Sequence, residues 1–318
     1  MVTFGRILLT AGLAFCLAVY GQDYPSKPIT IVVPVAPGGG VDRSARILAD
    51  KLRQKWGQPV IVENRPGATG NIGTEHVAKA VPDGYTLLAA TVAQLVINKR
   101  LYSKLSYDSD AFVPISVITA SPLVMVVHGK VAAANAQELI AFAKLNPGRL
   151  SYASQGSGST AHLTAEWFKW MADIKAAHIP YKGVPPALTD MFGGRVDMTF
   201  LDLGNTLPYI RAGKLRALAV CSEKRNPLLP DVPATSEMLP GLVASSWFGM
   251  VATPGTPSSI ADKLSAAIAE ALQDPDVTKQ LDSGLEVIGN TPTEMMLFMR
   301  QERERWANII RITGATVD

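Results

Sequence analysis

Hydrophobic and polar positions along this chain alternate between two periods. Short β-branched or apolar runs, Ile29–Pro34, Pro59–Glu63 and Tyr85–Ala90, have the length and composition of buried strands. Between them lie stretches with apolar residues every three or four positions, such as Val41–Lys55, which predict amphipathic helices. The rhythm changes near Ala111–Val127, where "FVPISVITA" and "LVMVVH" read as two short strands separated by Pro122. It then restarts. Helix Gln137–Leu145, strand Leu150–Ser154, helix Thr160–Met171 and strand Ala177–Tyr181 follow, then helix Pro185–Phe192, strand Val196–Phe200, helix Thr206–Ala212 and strand Leu215–Cys221. An irregular stretch containing "NPLLPDVPA" leads to a strand in "SSWFGMVA", a helix over Ile260–Leu272 and a long final helix, Glu294–Ile312.

Alternation of this kind predicts an α/β fold, with parallel sheets covered by helices on both faces. The restart near residue 122 and the irregular stretch ending near Ser246 predict two domains. The first is discontinuous, made of residues 22–121 and 247–318, and the second covers 122–246.

The first 21 residues change the picture of where the protein works. Arg6 precedes an apolar core from Ile7 to Tyr20, and Gly21 closes a plausible cleavage site, so residues 1–21 are expected to be an export signal. Phe15 is bulky where a lipoprotein signal needs a small residue before Cys16. Cleavage leaves Cys221 as the single thiol, so no internal disulfide is expected, and "LRALAVC" makes it a core residue. The whole chain has 30 Lys and Arg against 27 Asp and Glu, a net charge of +3, which supplies no basic field for nucleic acid.

Two segments share one layout. "IVVPVAPGGGVDRSAR" and "LSYASQGSGSTAHLTAEWF" each run from strand through small residues into a helix. A helix start carries unsatisfied N–H donors and a partial positive charge, so each loop is a candidate anion site without any Lys or Arg. In open α/β sheets ligands lie beyond the carboxyl ends of the strands, where both loops fall. A carboxylate clamped between two domains, a nucleotide phosphate, or turn glycines with no ligand all remain possible at this point. Against the nucleotide, the third glycine of a dinucleotide fingerprint falls at Arg43, and no phosphate-binding G-x-x-x-x-G-K motif is present. No G-x-S-x-G elbow supports a hydrolase, and His76, His128, His162 and His178 lack metal-ligand spacing, so neither catalysis, a metal nor a cofactor is expected.

Taken together, "YPSKPITIVVPVAPGGGVDRSAR", "GQPVIVENRPGATGNIG", "PDGYTLL", "PYKGVPPALTDMFGGRVD", "AGKLRALAV", "LPDVPATSE" and "SSWFGMVATPGTP" resemble the Bug-type receptors of tripartite tricarboxylate transporters. The likeness runs in order from Tyr24 to the last helix. It implies a periplasmic binding protein whose two α/β domains close on a small carboxylate like a flytrap, a partner permease in the inner membrane, a monomer and no catalysis. A sensory subunit or an exported enzyme using the same cleft are the competing roles.

Carried over by residue, the resemblance implies a first binding loop of Pro37, Gly38, Gly39, Gly40 and Asp42. The second is Ser154, Gln155, Gly156, Ser157, Gly158, Ser159 and Thr160, with His162 beyond it as either a ligand contact or a polar residue of the first helical turn. Thr91 and Gln94 are expected to contribute from the loop after Tyr85–Ala90. Asp202 is expected either to meet the ligand or to cap the helix that follows. Val35-Ala36 and Gly204-Asn205 depart from the family pattern, which leaves the ligand's identity open. Trp247 and Phe248 fall near the return crossing, as core residues or as a hinge contact.

Overall fold

The computed structural model describes residues 24–281 and 284–317, and the expected export signal lies outside them. The chain begins with β1 (Ile29–Val33), α1 (Gly40–Trp56), β2 (Val60–Asn64), α2 (Asn71–Ala78) and β3 (Thr86–Thr91). α1 forms because Val41, Ala45, Leu48, Ala49 and Leu52 put one apolar stripe against the sheet. It stops at Gly57, whose left-handed backbone (φ 64°) lets its N–H reach the Arg53 carbonyl at 3.0 Å.

A π-helical turn over Ala93–Ile97 and a short α3 (Asn98–Leu101) then lead into β4 (Val113–His128). β4 is one continuous 16-residue strand, where the sequence pattern suggests two. Pro122 does not break it, because it sits where the strand exchanges one set of neighbours for another. Up to Pro122 the strand pairs with β9 (Ser245–Ala252), and from Leu123 onward it pairs with β7 (Met198–Asp202). A missing N–H at that changeover leaves no ladder bond unmade.

The second lobe follows as α4 (Ala136–Leu145), β5 (Leu150–Ser154), α5 (Thr160–Ala172), β6 (Ala176–Pro180), α6 (Val184–Phe192), β7, α7 (Leu203–Arg211) and β8 (Leu215–Val220). After β9 the chain returns to the first lobe with α8 (Ser258–Gln273), α9 (Pro275–Leu281), β10 (Glu286–Val287) and α10 (Pro292–Thr313). The architecture is the α/β, two-lobed binding-protein fold. The strand order is β2-β1-β3-β9-β4 in the first lobe and β8-β4-β7-β5-β6 in the second, with β4 common to both. Within each lobe the strands that carry the loops of interest run parallel: β1 with β2 and β3, and β5 with β6 and β7.

Apolar clusters fill both lobes, and one of them crosses between the two. It joins Leu95, Trp247, Met295, Met299, Trp306 and Ile309 to Leu163 of α5. At its centre the indole N–H groups of Trp247 and Trp306 each donate to Glu302 Oε2 at 3.0 Å, and Arg305 pairs with Glu302 Oε1 at 3.1 Å. A carboxylate 5% exposed among tryptophans is tolerable only when its lone pairs are met in this way. Trp247 is therefore a packing residue. Cys221 is buried and free, and among the described residues no helix is long and apolar enough to cross a membrane.

Candidate functional site

The carboxyl ends of the parallel strands converge on a cleft between the lobes, as expected for an open α/β sheet. Its main compartment, about 270 Å³, is walled from the first lobe by Pro34–Ala36, Pro66–Gly70, Thr91, Ala93 and Gln94. From the second lobe it is walled by Gln155–Ser157, Ser159, Thr160 and Pro180–Gly183. An annex of about 40 Å³ adjoins it, reached past Val35, Ala36, Thr91, Gln155 and Gly183, and lined further by Gly39, Gly40, Val41, Asp202, Asn205 and Phe248.

The helix starts meet this cleft in different ways. Gly39 is the N-cap of α1 in an extended conformation (φ −78°, ψ 172°) and offers no side chain to the first turn. The amides that begin α1 therefore face the annex without a cap. Gly40 has to be glycine for packing: a Cβ there would lie 2.9 Å from the Phe248 ring. Pro37, Gly38 and Asp42, placed in the first loop by resemblance, do not line either compartment. Asp42 instead ties the loop together. Its Oδ2 accepts from the Gly38 amide at 2.9 Å and its Oδ1 from Asn64 Nδ2 at 2.9 Å, and Arg46 pairs with it at 3.0 Å. Burial opposes the charge on Asp42, yet these three donors outweigh it and hold the carboxyl below the usual carboxylate range.

The second loop presents Gln155, Gly156, Ser157, Ser159 and Thr160 to the main compartment, while Ser154, Gly158 and His162 stand behind it. Ser159 caps α5, its Oγ accepting from the His162 amide at 3.3 Å. His162 returns the support, its Nδ1 accepting from the Gly158 amide at 3.1 Å. His162 is 5% exposed and its ring stacks on His178 at 4.2 Å, with the Tyr152 ring nearly parallel to both, 4.8 Å from His178 and 6.4 Å from His162. His178 Nε2 and Ser154 Oγ lie 2.6 Å apart, and Ser154 Oγ in turn accepts from the Gly156 amide at 3.2 Å. Burial lowers the pKa of both imidazoles, and with His162 beside it that of His178 falls to about 4. Both rings are neutral at pH 7, a rigid backing for the loop rather than a charge for the ligand.

Gln94 and Asp202 have a similar double character. Gln94 reaches the main compartment, but its Oε1 accepts from Thr91 N at 3.0 Å and Thr91 Oγ1 at 2.9 Å, and its Nε2 donates to the Thr69 carbonyl at 2.8 Å. Asp202 lines the annex and caps α7, accepting from the Asn205 amide at 3.0 Å and from Asn205 Nδ2 at 2.8 Å. Burial pushes its carboxyl above the usual range against those two bonds. Thr91 is committed in the same way, both its N–H and its hydroxyl donating to Gln94, so Gly39, Gly40, Gln155, Ser157 and Thr160 are the expected residues that remain open to a ligand from both sides of the cleft.

Two wall segments escape the sequence reading: Pro66–Gly70 after β2 and Tyr181–Gly183 after β6. Both follow parallel strands at their carboxyl ends, and "RPGATG" repeats the layout of small residues between a strand and a helix, which is the signal that could have found it. Lys182 is the one charged side chain in the wall of the main compartment. Among the described residues, no group of His, Cys, Asp and Glu could hold a metal ion.

Known proteins bear on this geometry. BugT of Bordetella pertussis is 39% identical over 99% of this chain and 97% of its own length. The structure of Rhodopseudomonas palustris Rpa4515 with adipate superposes with a TM-score of 0.89 at 34% identity, covering 92% of this chain and 99% of that one. MatC from Rhodopseudomonas palustris, with bound malate, gives 0.86 at 30% identity over 90% of this chain and 100% of its own. The sequence profile of the tripartite tricarboxylate transporter family receptor matches residues 44–315. With the fold, the cleft and these likenesses in agreement, the chain belongs to the tripartite tricarboxylate transporter family of solute-binding receptors.

Proposed function

We propose that this receptor captures a small organic carboxylate in the periplasm and delivers it to an inner-membrane permease of the tripartite type. Residues 1–21 direct export, and the mature protein works as a monomer. In this reading residues 22–121 and 247–318 form one closing body and residues 122–246 the other, hinged where β4 and β9 cross. The observation that carries it is the opposition of two helix N-termini, α1 at the annex and α5 at the main compartment, across one small cleft. First-turn amides lack intrahelical acceptors and carry a partial positive charge, so each start favours an anionic oxygen. Closure removes water and strengthens those bonds. The amides of Gly39 and Gly40 hold one carboxylate, with Gln155, Ser157 and Thr160 supplying amide and hydroxyl partners from the other side and Thr91 fixing Gln94 behind them. Asp42, Ser154 and His162 act by fixing the loops. The adipate and malate bound to the two similar structures support a ligand with two carboxylates, and Lys182 at the wall gives the second one a cation.

Thermal melting of residues 22–318 against citrate, L-malate, adipate, an aromatic dicarboxylate, nicotinate and NADH tests this. A ligand at a hundred times its dissociation constant adds about 2.7 kcal/mol and raises the melting temperature by several degrees. A rise with one class of carboxylate is expected. A rise with NADH alone, or with no acid, would overturn the reading.

A further inference from the structure

The loop between β2 and α2 is the most conformationally unusual segment of the described chain. Gly67, Ala68, Thr69 and Gly70 follow one another with φ of 132°, 47°, 51° and 86°. Glycine takes such values freely, but a β-branched residue in the left-handed region is an outlier that its surroundings must hold in place. They do so at Thr69 (φ 51°, ψ 37°). Its carbonyl accepts from Gln94 Nε2 at 2.8 Å and Asn98 Nδ2 at 3.5 Å, both from the helical turns that follow β3. Asn98 is anchored in turn on Asn71 Oδ1 at 2.6 Å, which also accepts from the Tyr107 hydroxyl at 2.9 Å. The π-helical turn at Ala93–Ile97 is what brings Gln94 under this carbonyl, and such turns concentrate at functional sites.

The side chain held in this way leaves its own lobe. Thr69 Oγ1 accepts from the Tyr102 hydroxyl at 3.2 Å and donates to the Ser157 carbonyl of the second lobe at 2.8 Å. Gly156, beside that carbonyl, is closely packed: a Cβ there would lie 3.1 Å from Thr69 Oγ1 and press on that hydroxyl. One hydroxyl therefore bridges the lobes at the wall of the main compartment, next to the loop that receives the ligand.

From this geometry we infer that Thr69 is the positioning residue that fastens the two lobes together over the bound ligand. Gln94 and Asn98 hold its backbone in a strained conformation, so that the hydroxyl is already aimed at Ser157 when the cleft closes. A carbonyl in an unliganded, open cleft is free to bond water. In the closed cleft Thr69 replaces that water, so the bond belongs to the closed arrangement of the lobes, with or without ligand, and a ligand that favours closure is held by it. The consequence is kinetic: Thr69 slows departure more than it speeds arrival. The inference rests on the cleft being the capture site.

Three measurements on the mature protein test it: stopped-flow dissociation of L-malate and adipate, the association rate, and the distance between spin labels on D50C and K175C, one exposed position in each lobe. Thr69→Val keeps the shape and the branch but deletes the donor, leaving the Ser157 carbonyl without its partner. It is expected to raise the dissociation rate about three- to tenfold, with association changed less than twofold, and to lengthen the label distance even without ligand. Thr69→Ser is expected to restore both within about twofold, because one hydroxyl matters and the methyl does not. Equal dissociation rates and label distances in the valine variant and wild type would overturn the inference, and so would serine behaving as valine does. If wild type binds neither acid, the carboxylate reading has failed, and the label distances still decide whether Thr69 fastens the lobes.

Discussion

The loop that opens α1 and the loop that opens α5 look alike in sequence and do different work in the structure. Both run from a parallel strand through small residues to a helix. The first is tied from within its own turn, by Asp42 on the Gly38 amide, and leaves its uncapped helix start open to the annex. The second is capped by Ser159 and backed from outside by buried Ser154, His162 and Tyr152 together with half-buried His178. The first loop is thus a donor array and the second a braced wall. A glycine-rich loop at a strand end marks the place of a site, but which of its amides are free depends on side chains several residues away.

The comparison breaks most visibly at the glycines. Gly156 stands at φ 133°, where an L side chain is strained, and its Cβ would meet Thr69 across the cleft. Gly156→Ala is expected to cost about 1–3 kcal/mol of stability and to weaken carboxylate binding by more than tenfold, read by melting and calorimetry. Gly39→Ala meets nothing within 4 Å in an ordinary extended backbone and is expected to keep affinity within about twofold. Gly39→Pro separates amide from conformation. Its φ of −78° already suits proline, so a loss of binding beyond that of Gly39→Ala reports the missing N–H together with any restriction proline places on Gly38 before it. Full affinity in Gly39→Pro would remove α1 from the clamp.

A smaller effect distinguishes the braced wall from the donor array by pH. His178 titrates near 4 in the folded protein, lowered by burial and by His162, against about 6.5 when unfolded. Glu166 and Lys169 are the charged groups that act on it, and the Tyr152 ring packs nearly parallel to it at 4.8 Å. Because the unfolded chain binds the proton first, stability is fully present above about pH 6.5 and is lost as pH falls toward 4. The partial exposure of His178 reduces the loss to about 1–2 kcal/mol. His178→Gln is expected to flatten the melting temperature over this window. An unchanged pH profile in the variant would show that the imidazole stack is not the titrating element.

Most of the fold was legible because strand and helix periods differ sharply in this chain. Leu150–Ser154 emerges with the bounds its pattern implies, and α1, α5 and α10 shift by only a few residues at their ends. The misses have local causes. Pro122 suggests a break because sequence alone does not reveal that β4 changes neighbours there. α9 covers seven residues and β10 two, and both depend on what they pack against. At the site, residue types were easier to find than their free atoms. Asp42, Gln94, Asp202 and His162 all carry the right chemistry, yet each has its polar atoms committed to a loop or cap. The walls after β2 and β6 were passed over because neither has the run of glycines that drew attention to the other two.

The smallest expected effect concerns the one cation in the wall. Neither glycine loop contains a charge aimed at the ligand, so amides alone do not distinguish one carboxylate from two. Lys182, the charged residue in the wall of the 270 Å³ compartment, would do so if its ammonium turns to the second carboxylate of a short dicarboxylate. It is exposed, so its attraction is screened and worth under about 1 kcal/mol. Lys182→Met is therefore expected to weaken adipate and L-malate by about two- to fivefold at low salt while leaving a monocarboxylate such as nicotinate unchanged. The difference should shrink as ionic strength rises and the Debye length falls below about 8 Å. Equal losses for mono- and dicarboxylates would assign Lys182 to the general field of the cleft. A loss that persists in high salt would mean that the closed cleft buries the ion pair, and that closure rather than the open wall sets the preference for two charges.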